Sequence, residues 1–308
     1  MEIDNYPVLV NSIWEMIQGT PDDRERIDFL FSEQQIVGKL GITYGWESDP
    51  CVFGVAQVLN DLVDMGYCKG RGSLNGHRWG HVAPSADCPD MLPTASFITP
   101  PLPKLPTLRR RVLQFIHEQS VHREEGITFY IPVRIPHEET TSALLPTTNE
   151  IEMFSARGQV IQALSSLNEM GFVAGSIAFG VSTLRITLRG ACWLLIMQPL
   201  LKLAERAAGL EGHPETVEAV QSLIDAYGET QRKAAPILYV AIEKLENAIG
   251  GERKLIASLG QSRPYISDLK QSLQQYRHAE TQAQIKLSYQ QCLERATEII
   301  KKYIAQRE

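Results

Sequence analysis

The chain has 308 residues, 44% hydrophobic and 21% charged, which is enough for two or three globular domains with a core each. Its longest strongly apolar run, Ala191 to Leu201, is about half of a membrane span, and the N-terminus lacks the basic-then-apolar order of a signal peptide. Five scattered cysteines favour reduced thiols over a disulfide framework, so we expect a cytoplasmic protein without a membrane anchor.

Charge is distributed unevenly along the chain. Residues 1–100 hold six Lys and Arg against fourteen Asp and Glu, a net charge of −8, whereas residues 101–200 and 201–308 each carry +1. The overall charge of −6 argues against a nucleic-acid coat protein. It leaves room for a local basic surface, because binding depends on where the cations lie.

The first hundred residues predict helices followed by a hairpin. An amphipathic helix runs from Val8, and a shorter one opens at Ser32 as an N-cap. A longer helix has one apolar stripe at spacings of four, three and three, and it ends at Gly66, which tolerates left-handed backbone angles. Beyond it, Asn75-Gly76 signals a hairpin turn. The stripe consists of Val55, Leu59, Leu62 and Met65.

Residues 84–106 hold seven of the seventeen prolines. Proline fixes φ and donates no backbone hydrogen bond, so this stretch predicts a stiff, extended linker that is neither a helix nor a central strand. Such a linker would let the modules on either side face different surfaces of one partner.

After the linker, the sequence of the first long helix is repeated. Val55 to Gly70 and Val160 to Gly175 share seven of sixteen residues at a constant offset of 105. The second copy keeps the apolar stripe and the glycine stop, and Phe172 replaces Tyr67 at the start of the extended segment. Apolar and polar side chains alternate over residues 184–189, which predicts a half-buried strand.

The order of helix, short helix, longer helix, glycine stop and hairpin resembles the winged-helix family, and LRITLRG is similar to its second wing strand and following turn. The resemblance covers residues 5–85 and 105–195. We therefore predict a mainly α fold with small β-hairpins: winged-helix domains at 1–83 and 107–195, joined by the linker at 84–106, and a helical bundle at 196–308. The alternative is two unrelated α+β segments that share one phrase by chance.

The tail is predicted to be helical to its end. Its last helix has an apolar seam at heptad spacing from Ile285 to Tyr303. We expect this seam to pack inside the bundle, and the alternative is that it joins copies of the chain into a homo-oligomer.

The tail also resembles the helical C-terminal modules of abortive-infection proteins, including HEPN ribonucleases. Those nucleases place an arginine and a histidine on one helix. Arg206 and His213 have the required spacing, but Gly209 and Gly212 between them are expected to break the helix. A ribonuclease is therefore only a lesser alternative, and we predict no enzyme.

The sequence contains no phosphate loop, dinucleotide fingerprint or serine-nucleophile elbow. Two cysteines and two histidines near the first hairpin would suit zinc, but they are spaced more loosely than the ligands of structural zinc sites. They are Cys68, His77, His81 and Cys88. We expect surface histidines instead, and we predict neither a metal nor a cofactor.

Cations on the predicted wings and the second module are the groups that DNA binding would use. The first long helix argues the other way, because it carries no Lys or Arg and contains Asp61 and Asp64. Near its start, Val52 and Phe53 are more natural against protein. The candidate cations are Lys69, Arg71, His77, Arg78, Arg109, Arg110, Arg111, Arg157, Arg185 and Arg189.

Together these patterns predict a regulator that binds double-stranded DNA, with arginines on phosphates and the helix after Arg157 in the groove. The alternative is a non-enzymatic adaptor that binds a protein partner, for example in an antiviral defence assembly. Its candidate contacts are Val52, Phe53, Ile285, Tyr289, Ile299 and Tyr303.

Overall fold

The computed structural model describes residues 6–18, 50–71, 81–85, 92–98, 100–124, 127–147, 149–278 and 285–308. Most of them are helical and the strands form small antiparallel sheets, which confirms the predicted mainly α class. Within these ranges, no helix combines the length and the apolar character that crossing a bilayer requires. The chain divides into two compact units. Unit 1 contains Met1–Ser96 and Leu105–Leu194, and unit 2 contains Phe97–Lys104 and Leu195–Glu308.

Where the structure describes the first half of unit 1, it has two helices and an antiparallel hairpin. Its elements are α1 (Tyr6–Gln18), α2 (Pro50–Asp64), β1 (Cys68–Arg71) and β2 (His81–Pro84). The predicted short helix at Ser32 and the predicted turn at Asn75-Gly76 lie outside the described residues.

The second half of unit 1 has a hairpin and a three-stranded sheet among its helices. After the short helix α3 (Ala95–Ile98) come α4 (Thr107–Ser120), β3 (Val121–Glu124), β4 (Ile127–Tyr130), β5 (Val133–Pro136), α5 (His137–Leu144), α6 (Glu150–Glu169), β6 (Val173–Ile177) and β7 (Val181–Ile186). Strand β3 pairs with β4, and β7 pairs with both β5 and β6. The predicted strand through residue 189 is therefore too long, because Leu188 already begins a helix.

The two copies of the repeated phrase end in the same way. Gly66 and Gly171 have φ angles of +79° and +70°, which only glycine adopts without strain. The N–H groups of the next residues, Tyr67 and Phe172, each donate to the carbonyl five residues earlier at 2.9 Å. These bonds satisfy carbonyls that a helix end leaves open, and a hairpin follows each copy as predicted.

The described part of the segment predicted to be a stiff, extended linker includes a helical turn and packed residues. Ala95–Ile98 form one helical turn, since this stretch contains no proline. Leu102 is 5% exposed, and its N–H donates to the carbonyl of Tyr227 at 2.7 Å. Lys104 forms an ion pair with Glu229 at 2.9 Å. The buried Leu102 and the ion pair of Lys104 thus hold this part of the segment on the rest of unit 2.

In the described part of the chain, six helices follow strand β7. They are α7 (Leu188–Ala208), α8 (Pro214–Tyr227), α9 (Gln231–Ile249), α10 (Glu252–Leu259), α11 (Arg263–His278) and α12 (Tyr289–Ala305). The side chain of Ser288 caps α12, so Ile285 precedes the helix, which shortens the predicted seam by its first member. The remaining seam residues Tyr289, Ile299 and Tyr303 are at most 4% exposed within the chain, so they do not form the interaction surface predicted for an adaptor.

Candidate functional site

Arg185, predicted to contact DNA, is buried in the core of unit 1. Its side chain is 4% exposed, and Nη2 lies 2.7 Å from Oδ1 of Asp61 in α2. Burial alone would lower the pKa of Arg185, but the charges of Asp61 and Tyr6 outweigh it and raise the pKa above its ordinary value. Arg185 is therefore removed from the set of cations that could meet a phosphate.

Asp61 is the centre of a buried hydrogen-bond network. Besides Arg185, its carboxylate accepts from the hydroxyl of Tyr6 at 3.2 Å and from the N–H of Leu188 at 2.9 Å. The two residues of the ion pair are 124 positions apart, and no local pattern connects them. Asp61 thus does not contribute to the exposed acidity that the sequence suggested for α2.

Two other predicted cations close the C-terminal end of α6. Arg189 donates from Nη1 to the carbonyl of Met170 at 2.8 Å, and its guanidinium lies 5.2 Å from the ring centroid of Phe172. Arg109 lies 4.0 Å from the sulfur of the same Met170. Cations suit this position, because the last carbonyls of a helix carry partial negative charge.

Two other predicted cations of the second module, Arg110 and Arg111, are more accessible to solvent than Arg185. Arg111 is exposed, and Arg110 is half-buried with one bond to the hydroxyl of Thr107. Lys69 is exposed on β1. The side chains of Arg71, His81, Val52 and Phe53 lie outside what the structure describes, as do the whole of His77, Arg78 and Cys88.

The nuclease-like pair is separated, as expected from the glycines between its members. α7 ends at Ala208, and His213 immediately precedes α8. Arg206 makes a bidentate ion pair with Glu308, and His213 contacts Glu215 at 3.0 Å. The arginine and the histidine therefore do not share a helix.

Three large apolar side chains are exposed together on the second module. Ile151 and Phe154, one turn apart on α6, are 81% and 82% exposed, and Phe179 in the β6–β7 turn is 98% exposed. We call these three residues the apolar patch. They lie off the stripe that begins at Val160, so the helical periodicity of that stripe did not reveal them. The available signal was the i, i+3 spacing of Ile151 and Phe154 on the opposite face.

Phe179 is held in place although it is almost fully exposed. Gly180 follows it with a φ of +82°, and its carbonyl accepts from the N–H of His137 at 3.0 Å. Nε2 of His137 lies 2.8 Å from the hydroxyl of Ser182, which fixes the turn against α5. The guanidinium of Arg157 stands 5.6 Å from the ring centroid of Phe179. The turn therefore presents a preorganised aromatic ring.

A cleft of about 350 Å³ adjoins the patch between α5 and the first half of α6. Phe154 and Arg157 line it, so Arg157 connects the cleft with Phe179. Thr147 also lines the cleft, and its Oγ1 is buried without a hydrogen-bond partner among the described residues.

Four exposed carboxylates lie in the first turns of α5 and α6, and two of them, Glu138 and Glu150, line the cleft. Glu138 and Glu139 are exposed in the first turn of α5, and Glu150 and Glu152 are exposed in the first turn of α6. Carboxylates stabilise helix N-termini, which explains them locally. Collectively they leave this region acidic, since Arg157 is the cation that lines the cleft. We call these four residues the acidic rim.

Comparison of the chain with protein-family models, with curated proteins and with solved structures finds no match. Over the described ranges, no three His, Cys, Asp or Glu residues are placed to hold a metal ion. The apolar patch with its acidic rim is therefore the candidate site that the geometry itself defines.

Proposed function

We propose that this protein is a non-enzymatic adaptor that docks a protein partner on the apolar patch. The observation that carries this proposal is the exposure of Ile151, Phe154 and Phe179 on one surface of unit 1. Exposed apolar patches of this kind mark interaction sites, and aromatic side chains supply much of the binding free energy where proteins meet.

We further propose that residues 107–195 are a winged-helix module. The order α4, β5, α5, α6, β6 and β7, with β7 between the other two strands, supports this interpretation. In such a module α6 is the helix that reads DNA in DNA-binding relatives, and the β6–β7 turn is the wing. The patch combines residues of both elements, so this chain uses that surface for an apolar contact.

The charges near α6 support a protein partner over DNA. Arg109 and Arg189 contact Met170, which follows the helix, whereas Arg157 lies thirteen residues earlier, about 20 Å along the axis. The first turn of α6 carries Glu150 and Glu152, which would repel phosphate. DNA binding is the second candidate, because Arg110 and the exposed Arg111 have few partners.

Capture from the native host would test the proposal with matched variants. We expect a partner of the parent protein to persist after nuclease treatment and to be lost by Phe154→Ser with Phe179→Ser. Val217→Ser with Val240→Ser is the control, since these valines are 42% and 46% exposed in unit 2. All four changes are at exposed positions and should shift the free energy of unfolding by less than about 0.5 kcal/mol each.

A different outcome would favour DNA. Partners would then disappear with nuclease, and the protein would bind duplex DNA with an affinity that falls steeply with salt. Replacing Arg110 and Arg111 with Ala would flatten the log–log salt dependence by about 0.9 for each phosphate that these arginines neutralise in the parent. If binding survives the loss of both phenylalanines, the patch is not the docking surface.

A further inference from the structure

The chemistry around the apolar patch restricts what can occupy it. Phe154 lines the cleft with Arg157, and Arg157 stands over the ring of Phe179. Arg157 is thus a neighbour of both phenylalanines, and its guanidinium lies within cation–π range of Phe179, which stays 98% exposed. The open space next to both rings suits a large apolar side chain, whose burial would also cover these rings.

The acidic rim sets the charge of the occupant. Glu138 and Glu150 line the cleft itself, and Glu139 and Glu152 are exposed in the same two helical turns. Arg157 and the half-charge at each helix N-terminus offset about two of these four charges. The site therefore keeps a net negative charge of about two, which attracts lysine and arginine and disfavours acidic partners.

A second copy of this chain docked patch to patch is disfavoured. A two-fold axis through the patch would place it on its equivalent in the other protomer. Such a contact would bring two acidic rims together and oppose like charges. The occupant must instead carry the complementary charge.

Resting on the proposed function, we infer that the partner presents a peptide segment with one large apolar residue flanked by lysine or arginine. The apolar residue lies between Phe154 and Phe179, and the cations lie against Glu138 and Glu150. Such a segment combines an apolar anchor with a charged rim, as protein interfaces commonly do.

A library of random twelve-residue peptides displayed on phage would test this inference on the full-length protein. Peptides would be selected on the parent and depleted on the Phe154→Ser/Phe179→Ser variant. We expect the survivors to carry a positive net charge and a Trp, Phe, Leu or Met. Their affinity should fall at least ten-fold on Glu138→Gln with Glu150→Gln and also at high salt.

Glu169→Gln is the matched control, because Glu169 is an exposed carboxylate at the other end of α6 and should leave affinity unchanged. Survivors that are neutral or acidic would overturn the basic-segment inference and leave the docking function standing. If no peptide depends on Phe154 and Phe179, the docking function itself is wrong. Concentration-dependent dimers that Phe154→Ser abolishes would identify a second copy as the occupant and overturn the inference.

Discussion

The helices α2 and α6 carry the same sequence phrase, yet their outer faces differ. In both, the first three stripe residues at the 105-residue offset are fully buried, as Leu59 and Leu164 show. Every residue of α2 from Gly54 to Leu59 is buried, so this part of the helix is covered on all sides. On α6, by contrast, the outer face leaves Ile151 and Phe154 in solvent. The repeated sequence determines the local helix and its end. The role of each copy depends on whether the outer face of its helix is covered by other parts of the chain.

The composition of α2 follows from this burial. The helix has no Lys or Arg because the second half of unit 1 packs on it: Phe129 of β4 lies against Gly54, and Arg185 of β7 pairs with Asp61. The apolar composition of α2 was interpreted as a contact surface for another protein. Packing of the second half of unit 1 on α2 explains the same composition. Among the described side chains of these two helices, the exposed large apolar ones belong to α6.

The largest expected effect comes from breaking the buried ion pair. Asp61→Asn should lower the free energy of unfolding by about 3–5 kcal/mol, because Arg185 is left buried and uncompensated. All four tryptophans lie within the sequence bounds of unit 1, so their fluorescence during urea denaturation reports on this unit.

Asp64→Asn is the control for this change. Asp64 is exposed one turn further along α2, so its loss should cost less than about 0.5 kcal/mol. Equal costs at the two positions would mean that α2 is not covered by the second half of unit 1.

Truncation of the shared stripe tests whether the two inner faces are equivalent. Leu59→Ala and Leu164→Ala should each cost about 2–5 kcal/mol, since both side chains are fully buried and leave a cavity. Urea denaturation of the two variants gives both values on one scale. A cost at one position and none at the other would contradict the equivalence of the copies.

Two glycines should respond to the same substitution with opposite signs. A Cβ at Gly54 would collide with the buried ring of Phe129, so Gly54→Ala should cost about 1–3 kcal/mol. A Cβ at Gly158 in α6 meets nothing within 4 Å, so Gly158→Ala should stabilise by about 0.5–1 kcal/mol. The difference in urea midpoint between the two variants measures how differently the helices are covered.

The smallest expected effect is a pH dependence that belongs to the second copy alone. Burial, and then the charge of Arg157, lower the pKa of His137 below its usual 6.5. The unfolded chain therefore binds this proton more readily, so stability falls as the pH drops below about 6.5. The melting temperature should fall less between pH 7 and pH 5.5 in His137→Gln than in the parent. An identical fall in both would exclude His137 as the source.

Local patterns in the sequence predicted local structure well. The glycine stops, the helices of the tail and the hairpins after each long helix follow from residue spacing, because short-range sterics and periodic burial decide them. The pairing of Asp61 with Arg185 could not be predicted, since each residue has an ordinary local context. The candidate site was missed for a related reason. Phe179 and Phe154 are 25 residues apart in sequence, and only the folded hairpin brings Phe179 to Arg157, which follows Phe154 by one turn of α6.

The long sequence separation of two contacts has a consequence for the order of events during synthesis. Asp61 is synthesised 124 residues before its partner Arg185, and Lys104 is synthesised 125 residues before its partner Glu229. At about 5–20 residues per second, the ribosome needs about 6–25 s to produce each missing partner. During that interval the nascent chain carries a helix with an unpaired aspartate and an undocked proline-rich segment. Unit 1 can therefore complete its folding only after strand β7 has been translated. The proline-rich segment can dock only after the helices of the tail have been translated.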